Sequence, residues 1–332
     1  LALCAVVFGL SLAVAVAALT PANPPAGSPD AKPGSSPAPS VNGYTNQVSI
    51  TVSGDFRIVY SNGIPNHAIG AFPNAHNPNT IYPQQNYFRI PLHPVVAKQV
   101  TPFGLGRFGV ALNGVPIEAA GAEYWNGDPA SGWQYEVMGG KINLGLDDNN
   151  AHVQPSGSYH YHGLPTALIA SLGGGSTPKM ILVGYAGDGF PIYNQYGHTD
   201  PKDPKSPLKK LKPSFATKKG SRPANAPVGP YDGTFTADYQ YNANSGDLDE
   251  CNGRFEVTPE YPDGIYHYTI SESFPYIPRS FRGTPDATFA MPGPPGGGFG
   301  PPPGMRGPPR GGPPPYGPPP PRGGPPPPPF GG

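Results

Sequence analysis

Three short segments of this chain recur, in the same order, further along it, and that recurrence limits the fold more than any other feature. Gly109-Val110-Ala111-Leu112-Asn113-Gly114-Val115-Pro116-Ile117 parallels Gly184-Tyr185-Ala186-Gly187-Asp188-Gly189-Phe190-Pro191-Ile192. Leu146-Asp147-Asp148-Asn149-Asn150 parallels Leu248-Asp249-Glu250-Cys251-Asn252. Gly157-Ser158-Tyr159-His160-Tyr161-His162 parallels Gly264-Ile265-Tyr266-His267-Tyr268-Thr269. Ordered self-similarity of this kind implies repeated supersecondary units. Two related β units are expected, at about 109–163 and 184–270, packed with pseudo-two-fold symmetry. The second is longer because it carries Lys202–Arg222, eight basic residues among prolines, read as a solvated insertion loop.

The local pattern agrees with a β-rich chain. Apolar and polar residues alternate through Val48–Val52 and Phe56–Tyr60, and Ser61-Asn62-Gly63 supplies a turn. Strand-like runs follow at 87–90, 107–112, 133–138, 158–162, 180–185, 235–241 and 264–270, separated by Gly, Asn, Asp and Pro. One short helix is expected at Pro165–Leu172, with Pro165 near its first position and Gly173 as its stop. Many short strands with almost no helix predict an all-β or β-dominated fold. The two units pack as one sandwich- or barrel-like domain over about 41–290.

The ends differ from this middle. Residues 291–332 hold 20 Pro and 14 Gly, which cannot build a core and predict a disordered, extended tail. Residues 20–40 read as a flexible linker. Leu1–Leu19 is apolar and uncharged and ends in small residues, a signal peptide cleaved after Ala15 or Ala17, with a membrane anchor as the rival reading. Removal of that segment takes Cys4 with it and leaves Cys251 alone, so no internal disulfide forms. The chain is then secreted, extracellular or in the cell envelope. Net charge is zero and charged residues are 13%, which argues against binding nucleic acid along the chain. Arg310-Gly311-Gly312 and Arg322-Gly323-Gly324 are therefore read as parts of a spacer or an adhesive segment touching the cell surface or matrix.

The chemistry concentrates at Tyr159-His160-Tyr161-His162. On a strand, alternate residues share a face, so both imidazoles point one way and both tyrosines the other. Two imidazoles so placed can grip one cation. The turn at Pro155 and Gly157 can return His152 to the pair, and Asp147 and Asp148 offer oxygen ligands. The second unit offers His267, Asp249 and Glu250, with Asp188 on a Gly-bounded turn. Such an N/O set suits Zn or Cu(II) better than an iron–sulfur cluster or Ca. The candidate ligands are thus His152, His160, His162, His267, Asp147, Asp188 and Asp249. His67, His76 and His93 lack metal spacing and are read as structural or solvated, and His198 as solvated in a loop. There is no G-x-S-x-G, no Walker loop and no dinucleotide fingerprint.

Pro155–Gly163, Gly184–Tyr193, Leu248–Arg254, Gly264–Tyr268 and Phe274-Pro275-Tyr276 together resemble the YHYH-domain family, over roughly 105–285. The resemblance implies an exported protein with low-complexity flanks and assigns no catalytic residue. The family pattern has a second cysteine after Phe-Pro-Tyr where this chain has Ser280, so a disulfide from Cys251 is lost or was never structural. Thr269 also replaces the second His of the later motif, which argues against a symmetric two-metal site. Three functions remain open. The first is a secreted protein binding a metal ion or small polar ligand. The second is a metal-assisted hydrolase with Asp188 or Glu250 as general base. The third is an envelope or matrix protein whose tyrosines and histidines are core.

Overall fold

Period-two burial builds the first sheet. In the computed structural model, which describes residues 40–290 except Leu105, β1 (Val48–Ser53), β2 (Phe56–Ser61) and β3 (Asn86–Pro91) form an antiparallel meander. Phe88 and Ile90 of β3 enter a small core with Val59, Val110 and Phe289, while Arg89 faces out. The expected leader (1–19), nearly all of the linker and the tail lie outside the described residues.

The second sheet carries the repeated segments. Past β4 (Thr101–Pro102) come β5 (Gly109–Ala111), β6 (Pro116–Ile117), β7 (Ala151–Val153) and β8 (Tyr159–Tyr161), then the helix α1 (Thr166–Ser171). Next are β9 (Leu182–Ala186) and β10 (Pro191–Tyr193). Two hairpin-like pairs follow: β11 (Tyr196–His198) with β12 (Leu208–Lys210), and β13 (Phe215–Thr217) with β14 (Tyr239–Tyr241). The last strands are β15 (Gly253–Glu256), β16 (Ile265–Thr269) and β17 (Ser280–Phe281), and β17 pairs with β4. Eight of these make one mixed sheet in the order β15-β16-β10-β9-β5-β6-β8-β7. Outward from the antiparallel β5–β9 junction, each side runs hairpin strand, hairpin strand, parallel strand, antiparallel edge strand. The junction is tight: a Cβ on Gly184 would strike the Val110 carbonyl oxygen and lie 2.7 Å from the Ala111 Cα.

The β-dominated expectation is borne out, and the large sheet is open, with β7 and β15 as its edges. One face of it builds the main core. Tyr159, Tyr161, Tyr266 and Tyr268 pack there with Ile117, Phe190, Ile192 and Cys251. Two expectations are corrected. Residues 133–138 form no strand; Gln134 and Tyr135 make isolated bridges to Tyr124 and Phe235, and Trp133 and Tyr135 pack on the Phe235 ring. Lys202–Arg222 is not simply a solvated loop. It contains β12 and β13, and the Arg222 guanidinium is buried against Asp232 and Asp238.

Candidate metal centre

Strand pairing places three imidazoles on one face. The turn after Val153 returns the chain so that His152 on β7 stands opposite His160 on β8, and His162 follows two residues later. All three rings are buried, at 9%, 1% and 2% exposure. Their centroids lie 4.7–4.9 Å apart, with the rings tilted edge to face. The Nε2 atoms of His160 and His162 are 2.9 Å apart, and those of His162 and His152 are 3.2 Å apart. Among the described residues these three form the one cluster of three or more His, Cys, Asp or Glu able to hold a metal.

The proton positions make the cluster electron-rich at its centre. His152 Nδ1–H donates to the Leu144 carbonyl at 2.9 Å and His160 Nδ1–H to the Ser158 carbonyl at 3.2 Å. A neutral ring protonated at Nδ1 presents a lone pair at Nε2. At most one N–H, on His162 Nε2, can then lie among the three nitrogens, and His162 Nδ1 is buried without a hydrogen bond. Burial pushes His152 and His160 down to about 4, with the neighbouring His160 adding to the effect on His152. It pushes His162 well below its ordinary value, helped by the two other rings. Once His162 carries its proton at Nδ1, three neutral rings aim lone pairs at one point, the donor set a cation wants. Around a tetrahedral Zn with bonds of about 2.0–2.1 Å, neighbouring nitrogens lie roughly 3.3 Å apart, close to the spacing here.

Glu123 acts on His152 from farther off, and among the described residues Glu118 is the one carboxylate within ion-pair distance of this cluster. Its Oε2 lies 3.8 Å from His160 Nε2 and accepts from Gln154 Nε2 at 2.8 Å. Burial lifts the Glu118 carboxyl to about 7, against the opposing pull of Arg107 and His152. The sequence reading missed Glu118. The signal lay one residue past the first repeated segment, where Ile117-Glu118 stands against Ile192-Tyr193.

The structure does not bring the other candidates to the triad. Asp147 accepts from the Tyr159 hydroxyl at 2.7 Å and from the Asn149 amide at 2.9 Å. Asp249 accepts from the Tyr266 hydroxyl and the Cys251 amide. Asp188 accepts from the Tyr268 hydroxyl and the Gly283 amide, and burial pushes it up to about 6. His267 bonds through Nε2 to Glu256 at 2.9 Å. Each acid is thus consumed by a tyrosine on the opposite face of the sheet, and His267 by its own carboxylate. Glu250 pairs with Arg282. His67 is structural, held by the Tyr161 hydroxyl and the Ala68 carbonyl. His198 corrects its reading as a solvated residue: it is buried on β11, with Nδ1 on Glu256 at 2.9 Å. Cys251 is free and buried, and burial pushes its thiol up, away from thiolate chemistry.

Fold and site together define a β-sheet protein with a buried three-histidine cage on one face of an open mixed sheet. The YHYH protein family model matches residues 87–283, more than half of the chain, and the chain belongs to that family. The matched span contains β4 through β17 and all of β3 but Asn86, and with them the whole cage. No curated protein and no solved structure matches the chain.

Proposed function

We propose that this protein binds a single transition-metal ion, Zn or Cu(II), through Nε2 of His152, His160 and His162. The observation that carries the reading is the convergence of three Nε2 atoms within 4.8 Å of one another in a buried pocket that burial keeps uncharged. Glu118 supplies the counter-charge beside the ion, and the carbonyls of Leu144 and Ser158 fix two of the ring tautomers, as outer-shell partners of ligating histidines do. The setting favours holding an ion over turning over a substrate. His160 and His162 are buried, and His152, at 9% exposure, is the ring nearest solvent. The proposed location is outside the cytoplasm. The apolar run at Leu1–Leu19 supports this.

The test is elemental analysis of the purified chain, before and after exposure to Zn, Cu(II) and Co(II). About one equivalent per chain is expected, and none in the His160→Ala/His162→Ala variant. A wild-type chain that takes up no stoichiometric metal, or a variant that takes up as much, overturns the proposal.

A further inference from the structure

The two sides of the large sheet can be laid on one another, strand for strand, and the cage then has a counterpart. β7 and β8 correspond to β15 and β16. In β15–β16, Arg254 stands opposite His267, as His152 stands opposite His160 in β7–β8. Thr269 follows His267 by two residues, as His162 follows His160. Glu256 takes the place of Gln154, and Tyr193 that of Glu118. The supporting turns agree in detail. Asn150 and Asn252 both have φ 54°, and their amides bond to the carbonyls of Asp147 and Asp249 at 2.9 and 3.0 Å. The His162 and Thr269 amides then donate to the Asn150 and Asn252 carbonyls at 2.7 and 3.0 Å. Asn113 and Asp188 both meet the tyrosine hydroxyl of the matching strand, Tyr161 or Tyr268.

The counterpart position is filled from within. Arg254 Nε and Nη2 each reach Glu256 Oε2 at 2.8 Å, and Nη2 donates to the His198 carbonyl at 2.6 Å. The same Oε2 accepts from His267 Nε2. Gly197 leaves room for the pair, since a Cβ there would lie 2.7 Å from both Nη2 and Oε2. The third ligand position is vacated: Thr269 Oγ1 is buried without a partner.

We propose that the protein is a doubled cation-binding unit, in which one half takes a metal in the His152–His160–His162 cage and the other is a second cation site occupied by the guanidinium of Arg254. The word metal rests on the function proposed above; the correspondence of the two sites does not. The chain therefore binds one metal ion rather than two. Arg254 also lines a surface cavity of about 250 Å³.

The test rebuilds the cage in the full chain. The triple variant Arg254→His/Glu256→Gln/Thr269→His reproduces the residue types at 152, 154 and 162. Co(II) titration followed by its d–d absorption should show stoichiometry rising from one to two equivalents. On the His160→Ala/His162→Ala background it should rise from zero to one. If the triple variant does not fold, Arg254→His alone decides, because His267 and Glu256 then flank the new imidazole, and a second equivalent is again expected. A folded variant whose uptake equals that of its parent overturns the proposal. A wild-type chain that binds no Co(II), beside a rebuilt variant that binds one, sinks the metal reading of the triad and leaves the second site standing.

Discussion

Acidifying the metal-free protein should unfold it through the histidine cage, with a slope the structure fixes. An unfolded chain returns each histidine to about 6.5 and Glu118 to about 4.5. In the folded protein His152 and His160 lie near 4, His162 is held well below its ordinary value, and Glu118 lies near 7. The histidine values are depressed by folding. Their contribution is therefore present above pH 6.5 and lost as pH falls toward 4. Glu118 is raised by folding. Its contribution is present below pH 4.5 and lost as pH rises through 7. Between pH 6.5 and 4.5 His152 and His160 each cost about 2 kcal/mol, His162 adds to the loss, and Glu118 returns about 2 kcal/mol, a net loss of more than about 2 kcal/mol. That is a large share of the roughly 5–15 kcal/mol that holds a typical domain together.

Urea titrations at pH 4.5, 5.5 and 6.5, with a chelator present, read this directly, and variants isolate the cage because all other titrating groups cancel in the difference. His160→Gln/His162→Gln leaves one ring against Glu118, so the pH-dependent loss should shrink by more than about 2 kcal/mol. Glu118→Gln removes the opposing group and should enlarge the loss by about 2 kcal/mol. Equal pH dependence in the wild type and the double histidine variant would refute the claim that these rings are buried and neutral. A bound metal should flatten the wild-type profile above pH 5, since it competes with protons for the same lone pairs.

Three further predictions follow from single contacts. Glu118→Gln should weaken Co(II) binding about 10- to 100-fold at pH 7.5, the range for losing an outer-shell partner, as measured by competitive titration; an unchanged affinity would remove Glu118 from the site. Tyr161→Phe strips the hydroxyl that meets Asn113 Nδ2 at 3.0 Å and His67 Nε2 at 2.6 Å. It should cost about 1–3 kcal/mol in urea melts and leave metal stoichiometry unchanged, since that hydroxyl faces away from the cage. Gly184→Ala should cost roughly 3 kcal/mol by forcing β5 and β9 apart, whereas Gly175→Ala, with open space around it, should stay within about 0.5 kcal/mol; equal stabilities would show that the junction yields.

The triad was legible because it needs only two local rules. Period two puts His160 and His162 on one face, and a tight turn returns His152 opposite His160. The tyrosines were legible on the other face for the same reason. The acids were not, because a sequence shows a carboxylate but not the hydroxyl it meets across a strand. Asp147, Asp188 and Asp249 look like ligands in one dimension and are tyrosine partners in three. His267 shares the spacing of His160, but its fate is set by Arg254 and Glu256 on β15, and nothing local shows that register. The run at 133–138 has strand composition and no continuous neighbour to bond with, so composition alone misled there.

The two faces of the large sheet differ in how their polar groups are satisfied. On the tyrosine face every buried hydroxyl of β8 and β16 has a side-chain partner: Asp147, Asn113, Asp249 and Asp188. On the opposite face the two halves diverge. Around β16, the Arg254 cation and the Glu256 anion stand together, and two imidazoles bond to the carboxylate, so the buried charge is balanced by the chain itself. Around β8 three imidazole nitrogens converge with Glu118 at 3.8 Å from one of them, while Glu123, Arg107 and Arg279 act on the rings from farther off. Burying polar atoms that repel one another costs free energy. The convergence of the three rings is therefore the place where an external cation adds most. On the reading proposed above, one ion per chain follows from Arg254 and Thr269 standing where the other side of the sheet has His152 and His162.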